Sequence, residues 1–123
     1  MLKDNFFSTI ERTDINNSEV DFIVHLHSEH IIYQAHFPNN PITPGVCIIQ
    51  IVKELFSFLK QFDCTIKKIK NVKFTHPINP TIHNPIHFRI KWEEENTGLF
   101  HLKVSAYAEN IVFSKMNIIL ILS

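Results

Sequence analysis

Glycine is nearly missing from this 123-residue chain, which has two, Gly45 and Gly98. Phosphate-cradling loops of the Gly-rich type are therefore excluded. Cysteine is as scarce: Cys47 and Cys64 make neither a C-x-x-C pair nor a disulfide framework, so zinc ribbons and dithiol redox motifs are not indicated. Neither charge is in excess. Twelve Lys and Arg residues balance twelve Asp and Glu, which argues against a nucleic-acid binder that relies on bulk positive charge. The C-terminal apolar run, Ile118 to Leu122, is far too short to cross a bilayer. The opening MLKDNFFSTIERTD reaches acidic residues at once and lacks an apolar h-region, so it does not read as a signal peptide. The expectation is a soluble, cytoplasmic protein with neither a membrane nor a nucleic-acid partner.

Phenylalanine is abundant, at eleven residues, enough to build a core and to line an apolar cavity as well. The length predicts one domain, residues 1–123, and no repeat, low-complexity tract or linker interrupts it. Phe6 to Ile15 reads as an extended or partly helical segment, and Asn16-Asn17-Ser18 as a turn. In the segment Val20 to His27, Val20, Phe22, Val24 and Leu26 share one face, the period of a strand. Ile31, Ile32 and Tyr33 lead into a stretch punctuated by Pro38, Pro41 and Pro44, and the whole stretch is expected to be an irregular loop.

A helix is predicted to begin at Pro44 or Gly45, with Thr43 as its N-cap. From Val46 to Gln61 the polar residues Gln50, Lys53, Glu54, Ser57, Lys60 and Gln61 form one narrow stripe. A helix that is apolar around most of its circumference is largely buried. In so small a protein, the simplest cover is a sheet curled around it. Strands are predicted over Ile66 to Phe74, Ile86 to Glu94, Leu99 to Ala108 and Ile111 to Leu122. Asn96-Thr97-Gly98 and Glu109-Asn110 supply the turns. The order of strands, one long buried helix and an antiparallel meander predicts an α+β domain.

Chemistry concentrates between Tyr33 and Gln50. This stretch holds His36 in a proline-rigidified loop that leads directly into the buried helix. A rigid loop costs little entropy to hold in a reactive geometry. The N–H groups at the helix start, near Gly45 and Val46, have no partner inside the helix and lie at the positive end of its dipole. They could polarise a carbonyl oxygen or stabilise an enolate. Glycine at 45 would let a ligand approach the backbone closely. A base beside an oxyanion site is what proton abstraction next to a carbonyl requires.

The run His36-Phe37-Pro38-x-x-Pro41-x-x-Pro44-Gly45-Val46, with a buried helix after it, resembles the (3R)-hydroxyacyl-acyl-carrier-protein dehydratases of the FabZ/FabA type, which have the hot-dog fold. Tyr33 to Glu54 matches best, and Phe74-Thr75-His76-Pro77-Ile78-Asn79-Pro80 is similar to a later strand of the family. The resemblance implies that His36 removes the α-proton of a 3-hydroxyacyl thioester and that the Gly45 N–H binds the thioester carbonyl. Phe37, Pro44, Val46 and Phe74 become candidates for contacting the acyl group. It further implies a homo-oligomer, a dimer or a trimer of dimers, with an apolar acyl tunnel between subunits and the acidic partner contributed across the interface. Acyl carrier protein would deliver the substrate on its phosphopantetheine arm, with no metal or other cofactor.

One departure bears on mechanism. The family places Glu or Asp fourteen residues after the histidine, to protonate the leaving hydroxyl, and this chain has Gln50 there. An amide donates a hydrogen bond but does not hand over a proton at neutral pH. Glu54 lies one helical turn on and could supply the missing carboxylate; the competing reading puts it in a solvated stripe with Lys53 and Ser57, and is the more favoured of the two. Ala35, where glycine is usual, and Thr81-Ile82, where Gly-Asp is frequent, are smaller departures. Gln50 also leaves open a non-catalytic subunit that binds acyl chains or pairs with an active paralogue. A thioesterase on the same fold is a third reading, disfavoured because the loop matches α-proton chemistry.

Other signals have ordinary explanations. His25 and His27 share a strand face, but without a third ligand at useful spacing they read as surface histidines. Cys47 reads as a buried structural thiol. Lys67, Lys68, Lys70 and Lys73 could dock an acidic carrier protein or simply protect a strand edge. Phe56, Phe58 and Leu59 read as core.

Overall fold

The computed structural model describes residues 2–35 and 39–123. Six strands form one antiparallel sheet: β1 (Phe7–Asn16), β2 (Glu19–Leu26), β3 (Cys64–Phe74), β4 (Ile86–Glu94), β5 (Leu99–Ala108) and β6 (Ile111–Leu122). Their order across the sheet is β1-β2-β4-β5-β6-β3, so β1 and β3 are its edges. The described residues make two helices, α1 (Ile31–Ala35) and α2 (Gly45–Lys60).

Period-two alternation builds the core. Phe22 and Val24 of β2, Phe88 and Ile90 of β4, Leu102 and Val104 of β5, and Ile118 and Leu120 of β6 are all buried on one sheet face. Ile48, Ile51, Val52, Leu55 and Phe56 of α2 belong to the same apolar cluster. The Phe56 ring meets Phe100 edge-on at 5.1 Å and Trp92 at 5.6 Å. The α+β expectation holds, with the long helix against one face of an antiparallel sheet.

The predicted bounds of β4, β5 and β6 are those observed. Both of their turns contain left-handed residues: Asn96 at φ 57° and Gly98 at 84°, then Glu109 at 53°. Gly98 suits its position because only glycine adopts that φ without steric cost. The first segment is extended from Phe7 to Asn16 after a turn over residues 4–6, and β3 starts at Cys64 rather than Ile66.

Two local expectations are corrected. Residues 31–35 are helical, not irregular. Proline restricts only its immediate predecessor, and the first one here is Pro38, so residues 31–35 keep helical freedom. His30 Nδ1 accepts the Ile32 N–H at 3.1 Å, and the His30 carbonyl accepts that of Tyr33 at 3.0 Å. Second, Pro44, not Thr43, is the N-cap of α2, and no side chain caps that end. The Thr43 hydroxyl is instead paired with the Tyr33 hydroxyl at 2.9 Å. At the other end Gln61 turns left-handed, and the Phe62 N–H reaches back to the Ser57 carbonyl at 3.3 Å.

Phe58 is half-exposed rather than core, with the Lys3 ammonium 4.2 Å from its ring centroid. No helix among the described residues is long and apolar enough to cross a membrane.

Candidate active site

The loop before α2 and the loop after β3 are pinned together where the Thr43 N–H donates to the Ile78 carbonyl at 2.9 Å. Between them lies a cavity of about 400 Å³, lined by Ile42, Thr43, Gly45, Ile48, Phe74, Thr75, His76, Pro77 and Ile78. The two segments singled out in the sequence thus form opposite walls of one cavity. Its lining is mostly apolar, as an acyl group requires.

Gly45 is the first residue of α2. Among the described residues, neither its N–H nor that of Val46 has a hydrogen-bond partner, whereas the Cys47 and Ile48 N–H groups both reach the Pro44 carbonyl, at 3.0 and 3.2 Å. Through Gly45 the cavity therefore adjoins the positive end of a 16-residue helix, at a donor with no partner among the described residues. Glycine here also leaves room for a neighbouring ring. A Cβ at position 45 would lie 2.8 Å from Phe74 Cζ and 2.9 Å from Cε2, so the space is taken by the Phe74 ring. Val46 is 75% exposed.

His36 and Phe37 lie outside the described residues. His76, by contrast, lines the cavity, and the sequence reading did not single it out as a site residue. Its signal was its place two residues after Phe74 in a motif already recognised as similar to the family's. Beneath the loop, Tyr33 is buried and stacked on Phe6 at 5.1 Å. Burial pushes its phenol up to about 12, against a smaller opposing effect of the Thr43 hydrogen bond.

Gln50 and Glu54 do not line this cavity in the single chain. Five residues of α-helix turn Gln50 by about 140° from Gly45. Gln50 is half-buried, and its Nε2 donates to Glu54 Oε2 at 2.8 Å. Glu54 does not belong to a solvated stripe. It is 7% exposed, and its carboxylate also accepts the Leu2 and Lys3 N–H groups, each at 2.8 Å. The expectation failed because residues from the far N-terminus fold over this side of α2.

Elsewhere, His27 is held between the Ser8 hydroxyl at 2.7 Å and the Asn5 carbonyl at 2.8 Å. Buried Asp21 receives the Tyr107 hydroxyl and sits 2.9 Å from His87 Nδ1. Burial, and then this carboxylate, push the Tyr107 phenol up. No group of three or more metal-ligating side chains occurs among the described residues. Cys47 is buried, which pushes its thiol up and away from thiolate reactivity. The four lysines of β3 are exposed along an edge strand.

Comparison with known proteins gives this geometry a context. The sequence profile of the ApeI-like family, described as ApeI dehydratase, matches residues 11–115. A 3-hydroxyacyl-[acyl-carrier-protein] dehydratase FabZ from Rickettsia typhi is 31% identical over 91 residues, which cover 68% of this chain and 63% of that protein. The match therefore spans less than two thirds of that relative's length. The dehydratase heterocomplex ApeI:P from Xenorhabdus doucetiae superposes with a TM-score of 0.73 at 24% identity, over 93% of this chain and 96% of the other. A hypothetical thioesterase protein solved with coenzyme A, from Streptococcus pneumoniae, superposes with a TM-score of 0.67 at 6% identity, over 98% and 91%. These likenesses establish the hot-dog fold.

Proposed function

Because this chain belongs to the ApeI-like dehydratase family, we propose that it eliminates water from a (3R)-3-hydroxyacyl thioester carried by acyl carrier protein, giving the trans-2-enoyl thioester. The observation that carries this reading is the cavity whose two walls are the two family-like segments, lined by Gly45, whose N–H has no partner among the described residues.

In this reading the thioester carbonyl accepts from the Gly45 N–H, which stabilises the enolate formed when the α-proton leaves. His36, one residue beyond α1, is the base. The His36 imidazolium returns that proton to the departing 3-hydroxyl, which leaves as water, and Gln50 orients that oxygen without protonating it. A missing general acid costs roughly 10²–10⁴-fold, so slow turnover is expected. Gln50 meets the substrate across a subunit interface, since one chain keeps it away from the Gly45 cavity. A homo-oligomer, cytoplasmic location, delivery by acyl carrier protein and a role in fatty-acid or related acyl or polyene synthesis belong to the same proposal. No cofactor beyond the carrier's phosphopantetheine is called for.

The second reading is a catalytically degenerate subunit that binds acyl chains or pairs with an active paralogue. It is favoured by Gln50 at the acid position and by a Glu54 carboxylate already committed to three donors. An enoyl-thioester hydration assay on wild type and on Gln50→Glu separates the two. Turnover in wild type supports the enzyme. Turnover only in the variant marks a degenerate site on an intact scaffold.

A further inference from the structure

Glu54 offers two oxygens to three N–H donors. The Leu2 N–H and Gln50 Nε2 both reach Oε2 at 2.8 Å, and the Lys3 N–H reaches Oε1 at 2.8 Å. A carboxylate only accepts, so the arm of the Gln50 amide that faces it must be the NH₂. The planar amide then turns its carbonyl oxygen away from Glu54, and among the described residues that oxygen has no protein partner. No neutral amide at position 54 could do the same. One of its arms would be a donor, set against either a backbone N–H or the Gln50 NH₂.

We propose that Glu54, held by the backbone amides of Leu2 and Lys3, is a positioning residue that locks the Gln50 amide with its carbonyl oxygen outward. Position 50 thereby becomes a hydrogen-bond acceptor for the substrate's 3-hydroxyl. This rests on the dehydratase-like reading above and adds to it the atom that recognises the 3-hydroxyl and a reason for its orientation. The favoured ligands are acyl thioesters that bear a free 3-hydroxyl, against analogues that lack it. The reason Glu54 is buried under the N-terminal turn is that it sets the orientation of Gln50 and touches no substrate. The N-terminal turn is then part of the site's support, although residues 2–3 are more than fifty positions from Glu54 in sequence.

The test is the ratio of affinities for 3-hydroxybutyryl and butyryl thioesters of pantetheine, measured by calorimetry on folded protein. Wild type is expected to prefer the hydroxylated ligand about tenfold, the worth of one hydrogen bond. Gln50→Leu removes the acceptor from a half-buried position and should bring the ratio to about one. Glu54→Gln should lower it at least threefold, because Gln50 is then free to flip. Should Glu54→Gln not fold, Glu54→Asp carries the same expectation, since its shorter side chain cannot reach Gln50 and both N-terminal amides. A signature in wild type needs no variant: a Gln50 side-chain NH₂ proton should exchange slowly with solvent. A ratio unchanged in the folded variants, or free-amide exchange at Gln50, would overturn the positioning role while leaving the dehydratase reading standing. Failure of wild type to bind either thioester would overturn both.

Discussion

The ring of Phe74 occupies the place where a side chain on Gly45 would begin: a Cβ there would lie 2.8 Å from Cζ. Gly45→Ala must therefore push a half-exposed ring that lines the cavity. The fold can absorb that displacement, because the ring is at a strand end and alanine is the better helix former. Melting should shift by only a few degrees. Turnover should fall by about tenfold or more, since small misplacements at a reacting centre are costly. Thermal melts and initial rates on the same preparation check this; equal loss of both would point to a purely structural glycine.

Gln50→Glu places two carboxylates where an amide-to-carboxylate bond of 2.8 Å now lies. Like charges so close cannot both ionise freely, so the pair holds a proton that the unfolded chain releases. Native protein then binds more protons than unfolded, and stability falls as pH rises. The variant should match wild type near pH 4 and fall behind it by pH 8 in urea titrations. Superimposable pH profiles would show that the two side chains do not meet.

The meander could be read from sequence because its punctuation is local. Asn96 and Gly98 are the kinds of residue that accept left-handed backbone, and with the Glu109-Asn110 turn they bracket β5 to the residue. β1 was ambiguous because Ile10 to Asn16 are all exposed, so no face alternates. α2 was legible as buried from its apolar circumference, but not the burial of Glu54, whose cover arrives from residues 2–3. The same holds for Phe74 over Gly45, residues that meet only because β3 returns to the N-terminus of α2. Motif recognition found both cavity walls and left His76 unremarked between them. Long-range contacts carry no sequence period, which is why this part was hidden.

Tyr33 makes a second pH-dependent prediction, at the alkaline end. Its phenol is raised from 10.0 to about 12 by burial. Between those values the unfolded chain has released the proton and the folded chain keeps it, so stability declines as pH rises. Tyr33→Phe should flatten this decline. A residue of it will persist, because burial also pushes up Tyr107, Cys47 and Cys64. At neutral pH the same variant strands the buried Thr43 hydroxyl and should cost about 1 kcal/mol. Denaturant titrations from pH 7 to 11.5 on both proteins measure the two effects.

The assignment of the base is tested most directly by enoyl-thioester hydration in wild type, His36→Ala and His76→Ala. Both imidazoles belong to the family-like segments, and His76 lines the cavity, so the comparison separates a catalytic ring from a lining one. Replacement of His36 should abolish measurable turnover with melting unchanged, while replacement of His76 should leave a substantial fraction of the wild-type rate. Full activity in His36→Ala, or loss confined to His76→Ala, would contradict the account.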